Sequence, residues 1–216
     1  MSNAPRRLLR AGVVVLAILA LCAAAVVLAL ASHGPSAAAA ALRAPTPPAT
    51  VTATLITRPA GALKSGTAVA SKNLGTRVFT NAQHGFALAD VGQGQYPSVT
   101  IDAGKTWKVA GPPLHVNAAQ APLVVTQIGA ASQKKLFAWG GPGGGQSVDV
   151  TPDAGKHWYR AILGDVVMAV VSGPGGQLVA FVQVAADTSG TTAANWVYVS
   201  TDGGRHWHYN TTIGAI

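Results

Sequence analysis

The sequence predicts an all-β fold of three four-stranded units, preceded by one N-terminal transmembrane helix. Three observations support this fold class: an uncharged apolar stretch near the N-terminus, an octapeptide that occurs three times at near-constant spacing, and short β-like runs in the same order around each copy. The 216 residues are enough for one modest domain with additional segments. The composition, 49% hydrophobic and 10% charged, fits a membrane segment joined to a β-rich domain.

Residues 11–31 predict the transmembrane helix, because they contain no charged side chain. At about 1.5 Å per residue, these 21 residues span the roughly 30 Å of a bilayer's hydrocarbon core. Arg6, Arg7 and Arg10 precede the stretch, so the positive-inside rule places residues 1–10 in the cytoplasm. The alternative is a cleaved signal peptide, although its apolar region normally covers only about 7–15 residues.

The segments after the apolar stretch are predicted to connect it to the repeats. Residues 32–58 are rich in Ala, Pro and Thr and predict a semi-extended tether, and residues 59–74 predict a possible cap or extra strand. The Ala- and Pro-rich composition is typical of a high-GC bacterium. We therefore expect a single-pass protein of a bacterial cell membrane with its repeats outside the cytoplasm, or a secreted domain if the segment is cleaved.

Most of the formal net charge of +8 lies ahead of the repeats. From residue 59 onward, ten Lys and Arg residues are opposed by seven Asp residues, which leaves +3 and no basic cluster larger than Lys134-Lys135. We therefore expect no nucleic-acid partner. The chain contains no glutamate, so the commonest catalytic carboxylate is missing. Its one cysteine, Cys22, lies in the apolar stretch and does not indicate a redox compartment.

The repeated octapeptide reads Ser or Thr, any residue, Asp, any residue, Gly, a basic residue, Thr or His, and Trp. Its aspartates are 51 and 49 residues apart, and three copies in register at one period indicate a repeat architecture. The defined positions are Thr100, Asp102, Gly104, Thr106 and Trp107 in the first copy, Thr151, Asp153, Gly155, His157 and Trp158 in the second, and Ser200, Asp202, Gly204, His206 and Trp207 in the third.

Four β-like runs recur in each unit, three before the octapeptide turn and one after it. This is the strand number of a propeller blade, so the sequence predicts a β-propeller-like array of three blades within residues 75–216. The blades cover about 75–113, 122–163 and 166–212. The predicted strands are 75–81, 85–90, 96–101 and 107–110, then 122–128, 135–139, 147–151 and 158–163, then 166–171, 177–184, 196–201 and 207–212.

The octapeptide is predicted to be a hairpin turn between the third and fourth strands of each blade. Its Asp can accept hydrogen bonds from turn N–H groups, and its Gly can adopt the positive φ that the turn requires. Its Trp can cover apolar surface while the indole N–H finds an acceptor. Every defined position then has a structural role, so we assign no catalytic, cofactor-binding or metal-binding role to these residues and expect no cofactor.

The three octapeptides resemble the Asp boxes of the bacterial-neuraminidase-repeat superfamily, which includes sialidases, sortilin-type receptors and the photosystem II stability/assembly factor. The resemblance covers about residues 75–212 and implies β-propeller blades. It does not imply an activity, because the Asp boxes of that superfamily lie on the rim, away from the active centre. His157 and His206 depart from the usual Ser or Thr, which is expected to alter how the Trp is supported.

A sialidase site, as this resemblance implies it, needs an arginine triad, a Tyr/Glu nucleophile pair and an acidic proton donor. Apart from Arg205 inside a box, the repeats contain only Arg77 and Arg160, and there is no glutamate, so this chain alone cannot assemble that site. A glycosidase with two aspartates stays open, although the spacing of the aspartates does not indicate one. Its candidate residues are Asp90, Asp149, Asp165 and Asp187.

Two classes of function follow from these features. The first is a non-enzymatic, membrane-tethered extracytoplasmic module for protein interaction or assembly; the second is a sialidase-like glycan-binding or glycoside hydrolase protein. Three blades are fewer than the usual 4–8 of a closed propeller, and open ends expose apolar surface. We expect a second copy, a partner protein, or a cap formed by residues 59–74 to cover them.

Overall fold

A computed structural model of the chain describes residues 46–92, 94–116, 127–140, 145–185 and 192–214. The predicted cytoplasmic segment 1–10 and transmembrane segment 11–31 lie outside these residues. Within the described ranges, no helix has both the length and the apolar character needed to cross a membrane.

The described residues form sixteen β-strands and two short 3-10 helices, Ser71–Asn73 and Pro174–Gly176. The strands are β1 Thr50–Thr52, β2 Thr54–Leu55, β3 Ala68–Val69, β4 Leu74–Phe79, β5 Gly85–Val91, β6 Gly94–Thr100, β7 Trp107–Val109, β8 His115–Val116, β9 Gln127–Ala130, β10 Leu136–Trp139, β11 Ser147–Thr151, β12 Tyr159–Ile162, β13 Val166–Ser172, β14 Leu178–Ala185, β15 Thr192–Ser200 and β16 His206–Ile213.

These strands form three antiparallel sheets, each with a path of five strands. Sheet 1 has the order β3-β7-β6-β5-β4, with β8 also paired to β6. Sheet 2 has the order β2-β12-β11-β10-β9, and sheet 3 the order β1-β16-β15-β14-β13. The predicted all-β class is confirmed, and three such sheets are compatible with a propeller-like fold.

Four consecutive strands of each sheet correspond to a predicted unit, but the fifth comes from residues that precede all the repeats. β1 pairs with β16, β2 with β12 and β3 with β7, so the expected number of four strands per unit is wrong. The predicted tether 32–58 also extends too far, because β1 and β2 lie inside it. Pro48 is the last proline of the segment 32–58. Every residue from Ala49 to Arg58 therefore has a backbone N–H that can pair with a sheet edge.

Residues 49–69, here called the strap, cross the outer edges of the sheets in the order 3, 2, 1. Between its strands the strap donates three further backbone hydrogen bonds to the sheets: from Ala53 N to the Arg205 carbonyl at 2.9 Å, from Ile56 N to the Trp158 carbonyl at 2.7 Å and from Gly66 N to the Val109 carbonyl at 2.8 Å. Ala53 is 8% exposed and belongs to the core between sheets 2 and 3. The strap therefore ties together sheets that are far apart along the chain.

Replacing Ala53 by proline should lower the free energy of unfolding by about 1–3 kcal/mol, because the Arg205 carbonyl loses its N–H donor. Ala53→Ser keeps the N–H and is the matched control, expected to cost less. Urea unfolding followed by tryptophan fluorescence measures both. Equal stability of the two variants would show that the hydrogen bond from Ala53 N to the Arg205 carbonyl contributes nothing to the free energy of unfolding.

The hydrophobic core lies between the sheets, and the front face of each sheet is defined here as the face that holds its octapeptide Trp. Trp207 of sheet 3 packs into the core shared with Val148 and Val150 of sheet 2. Trp158 of sheet 2 packs into a core shared with Phe86 and Leu88 of sheet 1. Each Trp therefore points toward the sheet that precedes it in the chain.

The front face of sheet 1 has no preceding sheet, and the strap packs on part of it instead. Trp107, Tyr96 and Val69 form a third core, against which Ala62 and Leu63 pack. Leu63 N also donates a hydrogen bond to the Tyr96 hydroxyl at 3.1 Å. Two residues of the predicted cap 59–74 therefore cover the part of this face around Tyr96 and Trp107, while Phe79 on the same face is 48% exposed.

Candidate functional site

The first octapeptide forms the turn between β6 and β7, and its polar groups satisfy one another. Asp102 Oδ1 accepts hydrogen bonds from Thr106 N at 2.9 Å and Thr100 Oγ1 at 2.7 Å, while Oδ2 accepts from Thr106 Oγ1 at 2.6 Å. Thr100 Oγ1 in turn accepts from Gly104 N at 2.9 Å. Trp107 Nε1 donates to the Gly104 carbonyl at 3.0 Å. The predicted turn geometry is present in full.

The other two octapeptides, between β11 and β12 and between β15 and β16, use His where the first uses Thr106. His157 N donates to Asp153 Oδ1 at 2.9 Å, and His157 Nδ1 lies 2.6 Å from Oδ2. His206 and Asp202 repeat this pattern at 3.0 and 2.6 Å. An imidazole nitrogen thus takes the place of the threonine hydroxyl, and the turn is retained.

The tryptophans of these two turns differ in their hydrogen bonding. Trp207 Nε1 donates to the Gly204 carbonyl at 3.0 Å, as in the first turn. Trp158 Nε1 is buried and has no hydrogen-bond partner among the described residues. Since His206 accompanies the intact Trp207 bond, histidine at this position is not what changes the support of the Trp. The expectation that it would do so is wrong for the third turn.

Hydrogen bonding lowers the pKa of all three turn aspartates. The Thr106 hydroxyl, the Thr106 N–H and the Thr100 hydroxyl lower the pKa of Asp102 to about 2. For Asp202, burial raises the pKa, but the His206 N–H and side chain outweigh it and the pKa falls to about 2. The pKa of Asp153 is lowered in the same way, with burial opposing the bonds from His157.

These lowered pKa values predict that the turns lose stability in acid. A carboxyl group whose pKa is depressed by folding stabilises the native state above its unfolded pKa, and that stabilisation disappears as the pH falls through the folded pKa. The free energy of unfolding should therefore fall between about pH 4 and about pH 2. Urea unfolding across this range should show a shallower decline for Asp202→Asn than for the wild type. Asp90→Asn, at an exposed position outside the turns, is the control and should follow the wild type.

The structure does not bring the predicted carboxylates together. The three turn aspartates lie on three sheets, each bound within its own turn. Asp165 Oδ1 accepts a hydrogen bond from Val166 N at 2.8 Å, Asp90 is exposed, and Asp187 lies outside the described residues. In the part of the chain that the structure describes, no group of three His, Cys or Asp side chains is placed to hold a metal ion.

The arginines weighed for a sialidase site are also separated. Arg77 is exposed on β4 of sheet 1, and the Arg205 guanidinium lies 4.0 Å from the ring centre of Tyr159. Arg160 lies on β12 of sheet 2 and is bound by a carboxylate. The three guanidinium groups are on three different sheets.

Arg160 and Asp149 form an ion pair that sequence reasoning did not identify. Arg160 Nε and Nη2 each lie 2.7 Å from one oxygen of the fully buried Asp149 carboxylate, and Nη2 also donates to the Leu114 carbonyl. The hydrogen bonds with Asp149 raise the pKa of the Arg160 guanidinium. Burial raises the pKa of the Asp149 carboxyl, and the Arg160 hydrogen bonds and charge oppose that effect.

This ion pair departs from the repeat pattern. The register pairs Asp149 with Arg160, and the matching positions of the other sheets hold Ser98 with Val109 and Tyr198 with Tyr209. The signal for the pair was available in the sequence, because a hairpin around the second turn places residues 149 and 160 opposite each other.

A cavity of about 370 Å³ lies beside this ion pair, in the size range of ligand pockets. Mostly apolar side chains line it, with His115 and Arg160 as its nitrogen-bearing groups. The other lining residues are Ile56, Thr57, Pro59, Pro113 and Leu114. Pro59 and Pro113 also line a second cavity of about 350 Å³ that extends along the strap to Tyr96.

In comparisons with known proteins, no family model matches the chain and no curated protein matches it.

Proposed function

We propose that this chain is a membrane-anchored, extracytoplasmic module with three propeller-like Asp-box blades, which acts in protein interaction or assembly and not as an enzyme. The proposal assigns the three octapeptides to the Asp-box superfamily. It assigns residues 11–31 as the anchor, on the strength of their apolar character and the arginines before them.

The observation that carries the interaction role is the back face of sheet 3, the face opposite Trp207. Val171, Val179 and Val199 lie on it side by side on β13, β14 and β15. Val171 on the edge strand is 47% exposed, Val179 and Val199 are half-buried, and the core clusters of the described residues include no side chain of this face. The other sheet faces of the array each contact a sheet or the strap, although Phe79 on the front face of sheet 1 is 48% exposed. An uncovered apolar face of this kind marks a protein interaction site.

The polar groups also favour binding over catalysis. The turn aspartates are held by hydrogen bonds within their own turns, and Asp149 is buried against Arg160. A general acid or base must reach the proton that it transfers. None of these carboxylates is placed opposite a second free carboxylate among the described residues.

The alternative function is a sialidase-like glycan-binding or glycoside hydrolase protein. The cavity beside Arg160 and His115 favours it, because a guanidinium group at a cavity can bind a ligand carboxylate. Two of the three Arg160 nitrogens are already bonded to Asp149 and Leu114, which leaves little donor capacity for an acidic sugar.

Site-specific photo-crosslinking in intact cells tests the interaction role. A photoreactive residue replaces Val179 on the back face of sheet 3, and the control replaces Ile101, which is 68% exposed on the first turn. Protein adducts are expected from position 179 and not from position 101. Adducts at neither position, together with turnover of aryl-sialosides or other aryl-glycosides by the full chain, would replace this proposal by the alternative.

A further inference from the structure

Resting on the proposed interaction role, we propose that the occupant of the back face of sheet 3 is the same face of a second copy of this chain. The face is built from two registered rows of side chains. One row is Val171, Val179, Val199 and His208, and the other is Ala169, Phe181, Val197 and Thr211.

The centre of this face is apolar and carries no charge. The half-buried Val179, Phe181 and Val199 form the centre together with Val197, which is 7% exposed. Their neighbours along each strand, such as Ala180 and Val182, point into the core shared with sheet 2. Among the described strand residues on this face there is no Lys, Arg or Asp. Two copies of a basic chain can therefore meet here without bringing like charges together.

The opposite end of the array decides the symmetry of the assembly. The front face of sheet 1 is the surface on which another copy's sheet 3 would pack in a head-to-tail ring. Ala62 and Leu63 of the chain's own strap occupy that surface around Trp107 and Tyr96, while Phe79 at its β4 edge stays 48% exposed. Because the strap occupies the middle of that surface, the assembly that repeats the same contact on both copies is a two-fold dimer. The six-bladed ring that three blades per chain would allow is therefore not the expected product.

The size of the face predicts a weak dimer. The four long strands β13–β16, about 4.8 Å apart and with about eight residues of about 3.3 Å each, give a face of about 500 Å². Two such faces bury about 1,000 Å², which is the lower limit for a specific protein interface. We expect a dissociation constant on the order of micromolar, so the dimer forms where the chain is concentrated, as on a membrane surface.

Sedimentation equilibrium of the full-length chain in density-matched detergent measures this dimer. Val171→Lys is the main variant, because Val171 is already 47% exposed and lysine there can be accommodated in the monomer. Phe181→Lys is the second variant, at the centre of the face, and Ile101→Lys on the first turn is the control. Unchanged tryptophan emission verifies that each variant is folded.

The wild type and Ile101→Lys are expected to dimerise alike, and Val171→Lys is expected to raise the dissociation constant by about 30-fold or more. A short bismaleimide should also cross-link Val199→Cys in a Cys22→Ser background. A wild type that stays monomeric at about 100 µM overturns the dimer. A dimer that persists in both Val171→Lys and Phe181→Lys also overturns the proposed interface, because residues 11–31 would then hold the two copies together.

The failure of the dimer and the failure of the interaction role give different results. A monomeric chain that still forms photo-adducts with another protein at position 179 rejects the second copy and keeps the interaction role. A monomeric chain without adducts at that position rejects both.

Discussion

Replacing Gly155 by alanine is expected to destabilise the domain by about 2–5 kcal/mol. Gly155 has a φ of 89°, where a side chain costs about 1–2 kcal/mol. An added Cβ would also lie 2.2 Å from the Ala110 carbonyl oxygen of sheet 1, and such overpacking costs a further 1–3 kcal/mol or so. The turn of sheet 2 approaches sheet 1 closely at this residue, so the substitution strains the junction between the two sheets.

Gly104→Ala is the matched control for this prediction. Gly104 occupies the same position of the first turn with a φ of 85°, but its added Cβ would meet nothing closer than Phe79 Cζ at 3.5 Å. Only the conformational cost of about 1–2 kcal/mol is expected there. Urea unfolding followed by tryptophan fluorescence compares the two variants. Equal losses would show that the close approach to Ala110 has no energetic consequence.

Replacing Arg160 by methionine is expected to cost about 3–5 kcal/mol, because Asp149 keeps its buried carboxylate and loses both charge-assisted hydrogen bonds. Methionine fills a similar volume, so the loss measures the unpaired charge more than a cavity. The double variant Asp149→Leu, Arg160→Met removes both charges. It should recover most of the lost stability, because apolar residues of similar volume often replace a buried ion pair without cost.

The stability that Arg160→Met loses relative to the wild type should be larger at high pH than at low pH. Burial raises the pKa of the Asp149 carboxyl, and without Arg160 the charge of His115 is the cause that still opposes that effect. A carboxyl group whose folded pKa is raised is favoured in its neutral form by folding, so the variant should regain stability as the pH falls. Urea midpoints of the variant relative to the wild type at about pH 5 and about pH 8 test this. A pH-independent difference would indicate that volume, and not charge, explains the loss.

The strap explains how three sheets remain ordered without closing into a ring. An open array would leave two apolar sheet faces and three outer strand edges. β1, β2 and β3 pair with the three outer edges, and Ala62 and Leu63 cover part of the front face of sheet 1. Among the described residues, the back face of sheet 3 is the sheet face that contacts neither another sheet nor the strap.

Most of the repeat architecture could be predicted from the sequence, because the bonds that define it are local. Thr100 bonds to Gly104 and Asp102 bonds to Thr106, all within one turn. The strands around each turn follow from alternating β-like runs, and the predicted run 166–171 corresponds to β13, Val166–Ser172. Local hydrogen bonds and strand periodicity leave a readable pattern in a single sequence.

The candidate site was less accessible to sequence reasoning. The sequence indicates Asp149 as a candidate glycosidase carboxylate and Arg160 as one of three separate arginines, with no link between them. Their pairing requires the register of β11 and β12 and a position beside Leu114 of the preceding unit. Residues lining the cavity come from the strap, from the segment after sheet 1 and from sheet 2, and no spacing along the chain relates these three segments.

The three octapeptide turns, the strands that flank them and the all-β class follow from sequence patterns, since each depends on residues within a few positions of one another. The pairing of Thr50 with His208, the packing of the strap on the front of sheet 1 and the uncovered back of sheet 3 follow only from the tertiary structure. Those outcomes depend on which edges and faces remain unpaired once the sheets have assembled. The strap pairs through only three, two and two residues, too few for strand periodicity to mark it in the sequence.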